Sequence, residues 1–272
     1  MFFAFDNPQT EVEKIVTFLR KTFDQQGKSS AVIAVSGGID SALSLTLLSR
    51  ALGPKRVFPI LLPFADQAMD DAKAIVEWNE IPQENVHIVQ IEGAVEEIKE
   101  TIISTSNGVL RHPVGTPQDD KLPPVRKGNI MARVRMIYVY DLAKKLDALV
   151  VGTENKSEKY LGYFTRFGDG ASDIEPIQHL YKTQVRQLAT QLQFPSIFLE
   201  KAPSAGLWEA QTDEDELGFS YAQADQVMTQ FIDEKKDPKI IEVDGKHDEE
   251  LVQKVIGQIN SQEFKHLVPY HL

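Results

Sequence analysis

The chain contains no cysteine among its 272 residues. This absence excludes disulfide bonds, thiolate metal ligands and cysteine nucleophiles. A chain without cysteine also fits a reducing compartment, because disulfides form and persist where the environment is oxidising. We therefore expect a cytoplasmic protein whose chemistry depends on carboxylates, hydroxyls and cations.

Long apolar runs and an excess of basic residues are also absent. The apolar opening Met1–Phe5 is short, lacks basic residues and leads directly into Asp6–Pro8, which argues against a signal peptide. No run reaches the length that a membrane-spanning helix needs. With 29 basic and 40 acidic residues, the formal net charge is -11, so the surface repels nucleic acid backbones and anionic lipids. We expect a soluble protein with no nucleic acid and no membrane partner.

The sequence does contain a regular alternation of apolar segments. Ala31–Val35 is a continuous apolar run suited to a strand buried on both faces, and helically spaced apolar residues precede and follow it. Strand-like Arg56–Leu62 and Asn85–Ile91 continue the alternation, which predicts βαβ units. The expected fold is α/β, with a doubly wound, Rossmann-like parallel sheet flanked by helices.

The alternation breaks in two places. Ser104–Lys127 is rich in proline and predicts a mobile loop, and Gly152–Glu175 is loop-like and rich in charged and hydroxyl residues. The last third of the chain is mostly helical. We expect a single domain over residues 1–272, with an α/β core at about 28–190 and a mostly helical part at about 191–272.

The strongest motif is Ser36-Gly37-Gly38-Ile39-Asp40-Ser41, which follows the first strand and precedes a helix. Glycines let the backbone approach a ligand, and the helix start directs several N–H groups at it. The expected guest is a phosphate, with Asp40 meeting it through Mg²⁺ because a bare carboxylate would repel it. The lysine of a Walker A loop is absent. A serine-capped strand-to-helix turn is the alternative, and the motif alone does not decide between the two.

A second motif, Lys127-Gly128-Asn129-Ile130-Met131-Ala132-Arg133-Val134-Arg135-Met136, places two arginines near a helix start. Residues two apart cannot share a helix face, so at most one of these arginines points into a given site. For an isolated pair, one solvated and one salt-bridged arginine on a surface helix is the simpler interpretation.

The longest motif begins at the end of a predicted strand, where ligands of open parallel sheets bind. It runs through Val151–Glu158 and Gly162–Asp173 and ends at Lys182. Its carboxylates are hard metal ligands or bases, and its cations are phosphate partners. The carboxylates are Glu158, Asp169 and Asp173, and the cations are Arg166 and Lys182. A flexible acidic loop with Asp-Gly turns is the alternative.

Together these motifs resemble a known family. Ser36–Ser41 matches the signature of the PP-loop, or N-type, ATP pyrophosphatases at every position. The second and third motifs are similar to those of NAD synthetases, and the resemblance runs from the first helix to about Tyr221 and returns near the C terminus. It implies an adenine nucleotide alpha-hydrolase-like fold, ammonia-dependent NAD synthetase activity, Mg²⁺ as a cofactor and a homodimer.

The resemblance also implies roles for individual residues. For ATP binding it implies Ala34, Val35, Ser36, Gly37, Gly38, Ile39, Asp40, Ser41, Thr153, Lys182 and Ser204. For the dinucleotide it implies Arg133, Arg166, Asp173 and Lys265. For Mg²⁺ it implies Asp40 and Glu158, and for catalysis Asp40, Asp169 and Lys182, with Asp169 orienting or deprotonating ammonia.

Two further features of the C-terminal third bear on the site. Trp208 and Tyr221 could pack on a nucleotide base, with ordinary core packing as the alternative. The family's C-terminal His-Lys-Arg segment, which closes over the substrate, corresponds to Phe264-Lys265-His266, so only the lysine is shared.

The implied reaction is the amidation of nicotinic acid adenine dinucleotide (deamido-NAD) to NAD. The nicotinate carboxylate attacks the α-phosphorus of ATP, pyrophosphate leaves into the Ser36–Ser41 loop, and ammonia displaces AMP from the acyl-adenylate. With no cysteine and no length for an amidase domain, the nitrogen arrives as free ammonia or from another polypeptide. Another PP-loop ligase or thiolase and a non-catalytic ATP-binding module remain as alternatives.

Overall fold

The sheet has four parallel strands with β1 (Ala31–Ala34) at its centre. The computed structural model describes residues 5–109, 122–204, 206, 212–243 and 248–266. Strand β1 lies between β2 (Val57–Leu61) and β4 (Leu149–Val151), and β3 (His87–Ile88) pairs with the far edge of β2. Each of the three strand pairs is parallel. The predicted α/β class with a Rossmann-like parallel sheet is confirmed.

Helices alternate with the strands and then dominate the end of the chain. Up to β4 they are α1 (Pro8–Gln26), α2 (Ile39–Leu52), α3 (Asp70–Trp78), α4 (Glu92–Val109) and α5 (Pro124–Lys145). After β4 they are α6 (Lys156–Leu161), α7 (Lys182–Gln191), α8 (Ser196–Glu200), α9 (Asp213–Leu217), α10 (Tyr221–Met228), α11 (Pro238–Val243) and α12 (Glu249–Gln262). Within the described ranges, none of these helices combines the length and the apolar character needed to cross a bilayer.

The two faces of the sheet carry separate apolar cores. On one face, Leu19 of α1 and Leu188 of α7 are fully buried together with Ile33 of β1. On the other face, Val139 of α5 is fully buried with Val32. Neighbouring residues of a strand point to opposite faces, so Val32 and Ile33 enter different cores. This is why β1 is apolar throughout rather than alternating.

The C-terminal helices form a third apolar core. Ala224 of α10 and Val255 of α12 are fully buried there, and Leu161 of α6 and Tyr181 join them from earlier in the chain. The last third of the described chain is mostly helical, as its composition indicates. The single domain and its division near residue 190 stay predictions.

Helical structure extends into both segments that the sequence marks as loops. Helix α4 continues to Val109 and α5 begins at Pro124, so the ends of the predicted loop Ser104–Lys127 are helical, and residues 110–121 lie outside the described residues. Proline suits the first position of α5, because the first N–H groups of a helix have no intrahelical partner. The predicted loop Gly152–Glu175 contains the short helix α6.

The strand order reverses beside β1. Helix α2 leads from β1 to β2 on one side, while β4 lies on the other side. Such a reversal opens a crevice beyond the carboxyl ends of the two strands, where ligands of open α/β sheets bind. The Ser36–Ser41 loop follows β1 and Gly152–Asn155 follows β4, so the first and third motifs both lie at this crevice.

Candidate active site

The loop after β1 is held by its own two serines. Ser36 Oγ lies 3.2 Å from Ser41 Oγ, and the Gly38 N–H donates to Ser36 Oγ at 3.3 Å. Ser41 Oγ also donates to the Gly38 carbonyl at 3.0 Å. Gly38 is the N-cap of α2 and supplies no side chain to satisfy the first N–H groups of the helix. Those groups therefore suit an anion, as the motif predicts.

Gly37 is required at its position for two reasons. Its φ of +80° lies in the left-handed region, which residues with a Cβ rarely adopt. A Cβ at this position would also lie 2.9 Å from both the Ala72 nitrogen and the Asp71 Cβ at the start of α3. The loop therefore approaches α3 as closely as a backbone without a side chain allows.

Three ionisable side chains from separate parts of the chain meet next to this loop. The Lys182 ammonium group lies 2.5 Å from Asp40 Oδ2 and 2.9 Å from Glu158 Oε1. Asn155 Nδ2 donates to the other oxygen of Asp40 at 2.9 Å. Lys182 is only 2% exposed, so its charge is almost completely shielded from water. The structure thus brings together the two predicted metal ligands and the predicted ATP lysine.

The electrostatics of this group are those of a site with one negative charge in excess. Burial raises the pKa of Glu158 to about 8, Lys182 opposes this rise, and the Asp40 charge adds to it. Burial disfavours the Lys182 cation, but Asp40 and Glu158 outweigh it and raise the pKa of the lysine. Lys182 therefore stays charged between the two carboxyls.

Asp40 and Glu158 fit a magnesium ion that also binds phosphate. Within the described ranges, no group of three or more Asp, Glu, His or Cys residues could hold a metal by itself. Mg²⁺ is usually bound by one or two carboxylates together with waters and substrate phosphates. Burial and the Asp40 charge both raise the pKa of Glu158, so a nearby cation would favour its ionised form. The donor set therefore agrees with an ion that arrives with the nucleotide.

Helix α6 positions Glu158 through a capping box. The Asn155 side chain accepts from the Glu158 N–H at 3.0 Å, and the Glu158 side chain accepts from the Asn155 N–H at 3.4 Å. Asn155 therefore orients both carboxylates, because its amide nitrogen bonds Asp40 as well. Sequence reasoning gave Asn155 no role, although an Asn three residues before a Glu is a recognisable capping signal.

Asp225 connects α6 and α7 from the C-terminal helices. It accepts from Ser157 Oγ at 2.5 Å and from the N–H and Oγ1 of Thr183 at 2.9 and 2.7 Å. Ser157 Oγ in turn accepts from the Lys182 N–H at 2.9 Å. These bonds fix the residues that adjoin Glu158 and Lys182. Sequence reasoning missed Asp225, because its contacts lie 68 and 42 residues away in the chain.

The predicted dinucleotide residues gather on another side of the crevice. Arg133 Nε donates to the Arg166 carbonyl at 3.2 Å, and the Arg166 guanidinium lies 5.2 Å from the ring centre of Phe264. Lys265 Nζ donates to the Gly162 carbonyl and, at 3.1 Å, to the Phe164 carbonyl. Three cations thus surround one region, which suits an anionic substrate.

The arginines of the second motif separate as helix geometry requires. Arg133 is exposed and faces the Arg166 loop. Arg135 is partly buried and donates to the Leu62 carbonyl and to Gln67 Oε1, both at 3.1 Å. The expectation that only one of the two faces the site agrees with this arrangement.

Asp169 and Asp173 are both held by backbone N–H groups. The Thr165 N–H lies 3.2 Å from each oxygen of Asp169, and the Val150 N–H donates to Asp173 Oδ2 at 2.7 Å. Asp169 keeps contact with solvent, yet the surrounding protein partly desolvates its carboxyl and raises its pKa. A raised pKa suits the predicted proton acceptor better than an ordinary aspartate would.

The remaining predicted positions lie around the same crevice or in the core. Thr153 lies two residues after the end of β4, and the Gly206 N–H donates to Ser204 Oγ at 3.0 Å. Tyr221 is 3% exposed, and its hydroxyl donates to Asp213 Oδ2 at 3.1 Å, so it packs in the core. Trp208 lies outside the described residues. The ligand contacts assigned to individual residues stay predictions.

Comparison with known proteins gives one consistent result. A family model described as NAD synthase matches residues 11–269. The NH3-dependent NAD+ synthetase of Fusobacterium nucleatum is 39% identical over 259 residues, which cover 94% of this chain and 92% of that protein.

Solved structures agree with the sequence comparison. The structure of NMN synthetase from Francisella tularensis is similar with a TM-score of 0.80 and 31% identity, covering 99% of each chain. The NH3-dependent NAD synthetase from Campylobacter jejuni has a TM-score of 0.74 and 29% identity, covering 98% of this chain and 99% of that one. Because the family model spans almost the whole chain, the protein belongs to the NAD synthase family.

Proposed function

We propose that this protein is an ammonia-dependent NAD synthetase, which uses ATP to amidate deamido-NAD and releases AMP and pyrophosphate. The observation that carries the proposal is the meeting of Asp40, Glu158 and Lys182 beside the Ser36–Ser41 loop. A module that only binds ATP needs the loop and the sheet, but it has no use for a second group of cations at Arg133, Arg166 and Lys265.

The first step is adenylation of the substrate carboxylate. A carboxylate oxygen is a poor leaving group, so the nicotinate carboxylate attacks the α-phosphorus and the bond to pyrophosphate breaks. Lys182 and the first N–H groups of α2 offset the charge that develops on pyrophosphate. When bound by Asp40 and Glu158, Mg²⁺ would supply further positive charge at the phosphates.

The second step is attack by neutral ammonia on the acyl-adenylate. The new C–N bond forms as the bond to AMP breaks, and the nitrogen loses a proton. Asp169 is the proposed acceptor, because its pKa is raised and its carboxyl stays accessible to solvent. Arg133, Arg166 and Lys265 hold the anionic substrate during both steps. We propose free ammonia as the nitrogen source, as the name of the NH3-dependent NAD+ synthetase from Fusobacterium nucleatum indicates for that relative. These 272 residues contain no cysteine with which to hydrolyse glutamine.

A mononucleotide substrate is the second candidate. The similar structure with a TM-score of 0.80 is an NMN synthetase, whereas the NAD synthetase from Campylobacter jejuni has a TM-score of 0.74. Both substrates carry the same nicotinate carboxylate, so the chemistry of the two steps is unchanged. The choice between them concerns only the part of the site that would hold a second nucleotide.

We also propose a cytoplasmic homodimer. Helix α5 exposes Ile137, at 64%, and Tyr140, at 37%, on the face that also carries Arg133. Burial of this face against a second copy would remove apolar surface from water beside the proposed substrate site. Light scattering that gives the mass of one chain would refute the dimer.

The proposed activity is tested with the purified protein, ATP, Mg²⁺ and ammonium. Parallel reactions contain deamido-NAD or nicotinic acid mononucleotide, and the amide product, AMP and pyrophosphate are measured. We expect one AMP per amide formed, with deamido-NAD giving the higher kcat/KM. A higher kcat/KM for the mononucleotide would favour the second candidate. No amide from either substrate, with ATP binding intact, would indicate a non-catalytic module.

A further inference from the structure

Two carboxyl groups near the end of β4, Glu154 and Glu175, have no role in the steps described above. Glu154 is 8% exposed. Its N–H donates to Glu175 Oε2 at 3.1 Å, and Ser172 Oγ donates to Glu175 Oε1 at 2.7 Å. Glu175 lies so close over Gly152 that a Cβ on the glycine would be 1.8 Å from Glu175 Oε1. The Glu154 N–H and Ser172 therefore hold the Glu175 carboxyl over Gly152, beside the backbone of Glu154.

One oxygen of this pair has no hydrogen-bond partner. Glu154 Oε2 accepts from Gln178 Nε2 at 2.6 Å. Glu154 Oε1 is buried and has no partner among the residues that the structure describes. Buried carboxylate oxygens are normally satisfied, because leaving one without a donor is costly. A small ligand with N–H or O–H donors would satisfy this oxygen.

The pair also lacks a directly bound cation. In the described part of the chain, no lysine or arginine forms an ion pair with Glu154 or Glu175. Lys159 Nζ donates to Gln178 Oε1 at 2.7 Å rather than to either carboxyl, and its charge only partly opposes the rise in their pKa values. Burial raises the pKa of Glu154 to about 7 and that of Glu175 to about 8. The pair therefore favours one additional positive charge, either a proton or a cation.

A surface cavity borders Glu175. It has a volume of about 370 Å³ and lies between α1 and the segment 175–179. Glu175 and Gln178, the two residues bonded to Glu154, both line it. Glu11 of α1 also lines the cavity, where it pairs with Lys14 at 3.0 Å and lies 3.0 Å from His179 Nε2. The cavity therefore gives a small cation access to Glu175, whose carboxyl has no such partner among the described residues of this surface.

We propose that Glu154 and Glu175 form a binding subsite for ammonium, the cationic form of the nitrogen donor, with this cavity as its entrance. The inference rests on the proposed function, in which ammonium is the source of the nitrogen. Ammonium supplies one positive charge and four N–H donors, which match a carboxyl pair that has one unpartnered oxygen and, among the described residues, no directly bonded cation.

The subsite also lies on the substrate side of the crevice. The charges of Asp169 and Lys265 are close enough to affect the pKa of Glu154. One N–H bond of ammonium breaks as its proton passes to a carboxyl oxygen, and neutral ammonia keeps the electron pair for attack on the acyl-adenylate. Ammonium held at Glu154 therefore becomes ammonia close to Asp169, the proposed acceptor of the second step.

The kinetic test uses the isosteric variants Glu154→Gln and Glu175→Gln. Removing a hydrogen bond to a charged group should raise the KM for ammonium about tenfold, while the KM for ATP stays unchanged. Hydroxylamine, which is largely uncharged at neutral pH, should show a much smaller increase in KM. The matched control is Glu84→Gln, which removes an exposed carboxylate elsewhere on the surface and should leave the KM for ammonium unchanged. An unchanged KM for ammonium in both pair variants of an active enzyme would overturn the subsite but not the proposed function.

A structural test does not depend on activity. Crystals of the wild-type protein are soaked in thallium(I), a cation close to ammonium in size, and anomalous density is recorded. We expect an ion about 3 Å from a Glu154 oxygen, the length of an N–H···O bond, and no ion there in Glu154→Gln. Absence of thallium at the pair would overturn the subsite even if the protein makes NAD. Thallium at the pair in a protein that makes no amide would reject the proposed function alone.

Discussion

Lys182 Nζ lies 2.5 Å from Asp40 Oδ2, although the two residues are 142 positions apart in the chain. The contact joins the first residue of α7 to the first turn of α2. Lys182 also binds Glu158 of α6. The ammonium group therefore holds α6 and α2, the helix that begins in the Ser36–Ser41 loop, in one arrangement. A single buried cation therefore connects the predicted phosphate site to the predicted metal ligands.

Lys182→Met should impair both stability and activity. Without the lysine, two carboxyls of low exposure remain without a bound cation, which we expect to cost about 3 kcal/mol in the free energy of unfolding. Loss of the charge that faces pyrophosphate should lower kcat by about 10²-fold. Urea unfolding and steady-state amidation measure the two effects.

The control for this variant is Lys236→Met. Lys236 forms a partly exposed ion pair with Glu234 and donates to Gln230 Oε1 at 2.9 Å, so its removal should lower the free energy of unfolding by only about 1 kcal/mol. Equal effects of the two variants on kcat would contradict the role assigned to Lys182.

Asp40→Ala should abolish turnover at the Mg²⁺ concentration that saturates the wild type, because the proposed magnesium site loses one of its two carboxylates. Any turnover recovered at higher concentrations should require far more Mg²⁺ than the wild-type enzyme, which a magnesium titration of AMP release detects. Asp147→Asn removes an exposed carboxylate far from the loop and should keep the wild-type magnesium dependence. A wild-type rate in Asp40→Ala would show that the metal assignment is wrong.

Gly37→Ala should destabilise the loop and weaken ATP binding. Alanine at a φ of +80° is strained, and its Cβ would collide with the backbone of α3, so we expect a loss of about 2 kcal/mol. Gly257→Ala is the matched control, since this glycine lies within α12 and has open space where a Cβ would be. That change should stabilise the protein by about 0.5–1 kcal/mol. Similar melting temperatures for the two variants would contradict the close approach inferred at Gly37.

The phosphate loop could be predicted from the sequence because it is local, whereas the roles of Glu158, Lys182 and Arg133 were implied only by the family resemblance. Ser36–Ser41 combines an apolar strand, two glycines and a helix start within a few residues, so its structure depends mainly on neighbours in the chain. Helix α6 could have been found by the same means, since Asn155 and Glu158 have capping-box spacing. Instead, the many polar residues of Gly152–Glu175 indicated a loop.

Other features depend on contacts that no local pattern encodes. Strand β3 is only two residues long and pairs with Ile60 and Leu61 of β2, so the predicted strand Asn85–Ile91 is too long. The Glu154–Glu175 pair arises only when the segment after Asp173 folds back over Gly152. Asp225 lies on a C-terminal helix whose sequence gives no sign that it reaches α6 and α7.

Asp225→Ala tests whether the C-terminal helices position the active site. The change leaves Ser157 and Thr183 without their shared buried acceptor, which should lower the free energy of unfolding by about 3 kcal/mol. Because these residues adjoin Glu158 and Lys182, kcat should fall while the KM for ammonium stays constant. The matched control is Asp215→Ala, in the exposed first turn of α9. It should change the free energy of unfolding and kcat much less than Asp225→Ala does. A kcat unchanged in Asp225→Ala would limit Asp225 to a role in stability.

The pH dependence of stability should reveal the protonation of Glu175. Burial raises the pKa of Glu175 from 4.5 to about 8, so the folded protein holds a proton that the unfolded chain releases. Below about pH 4.5 the protonated Glu175 contributes its full stabilisation to the free energy of unfolding. This contribution is lost as the pH rises towards about 8, at up to about 1.4 kcal/mol per pH unit. The ionisable groups around it are Glu154, Lys159, Tyr140, Glu11, Lys14 and His179.

Comparison with Glu175→Gln isolates this contribution, because the amide cannot titrate. Urea unfolding between about pH 5 and pH 8 should show a steeper decline in stability for the wild type than for the variant. Ammonium should reduce the wild-type decline, since a bound cation favours the ionised carboxyl, whereas sodium at equal ionic strength should not. If the free energy of unfolding fell equally with pH in wild type and variant, Glu175 would be ionised in the folded protein across this pH range. Its charge would then already be compensated.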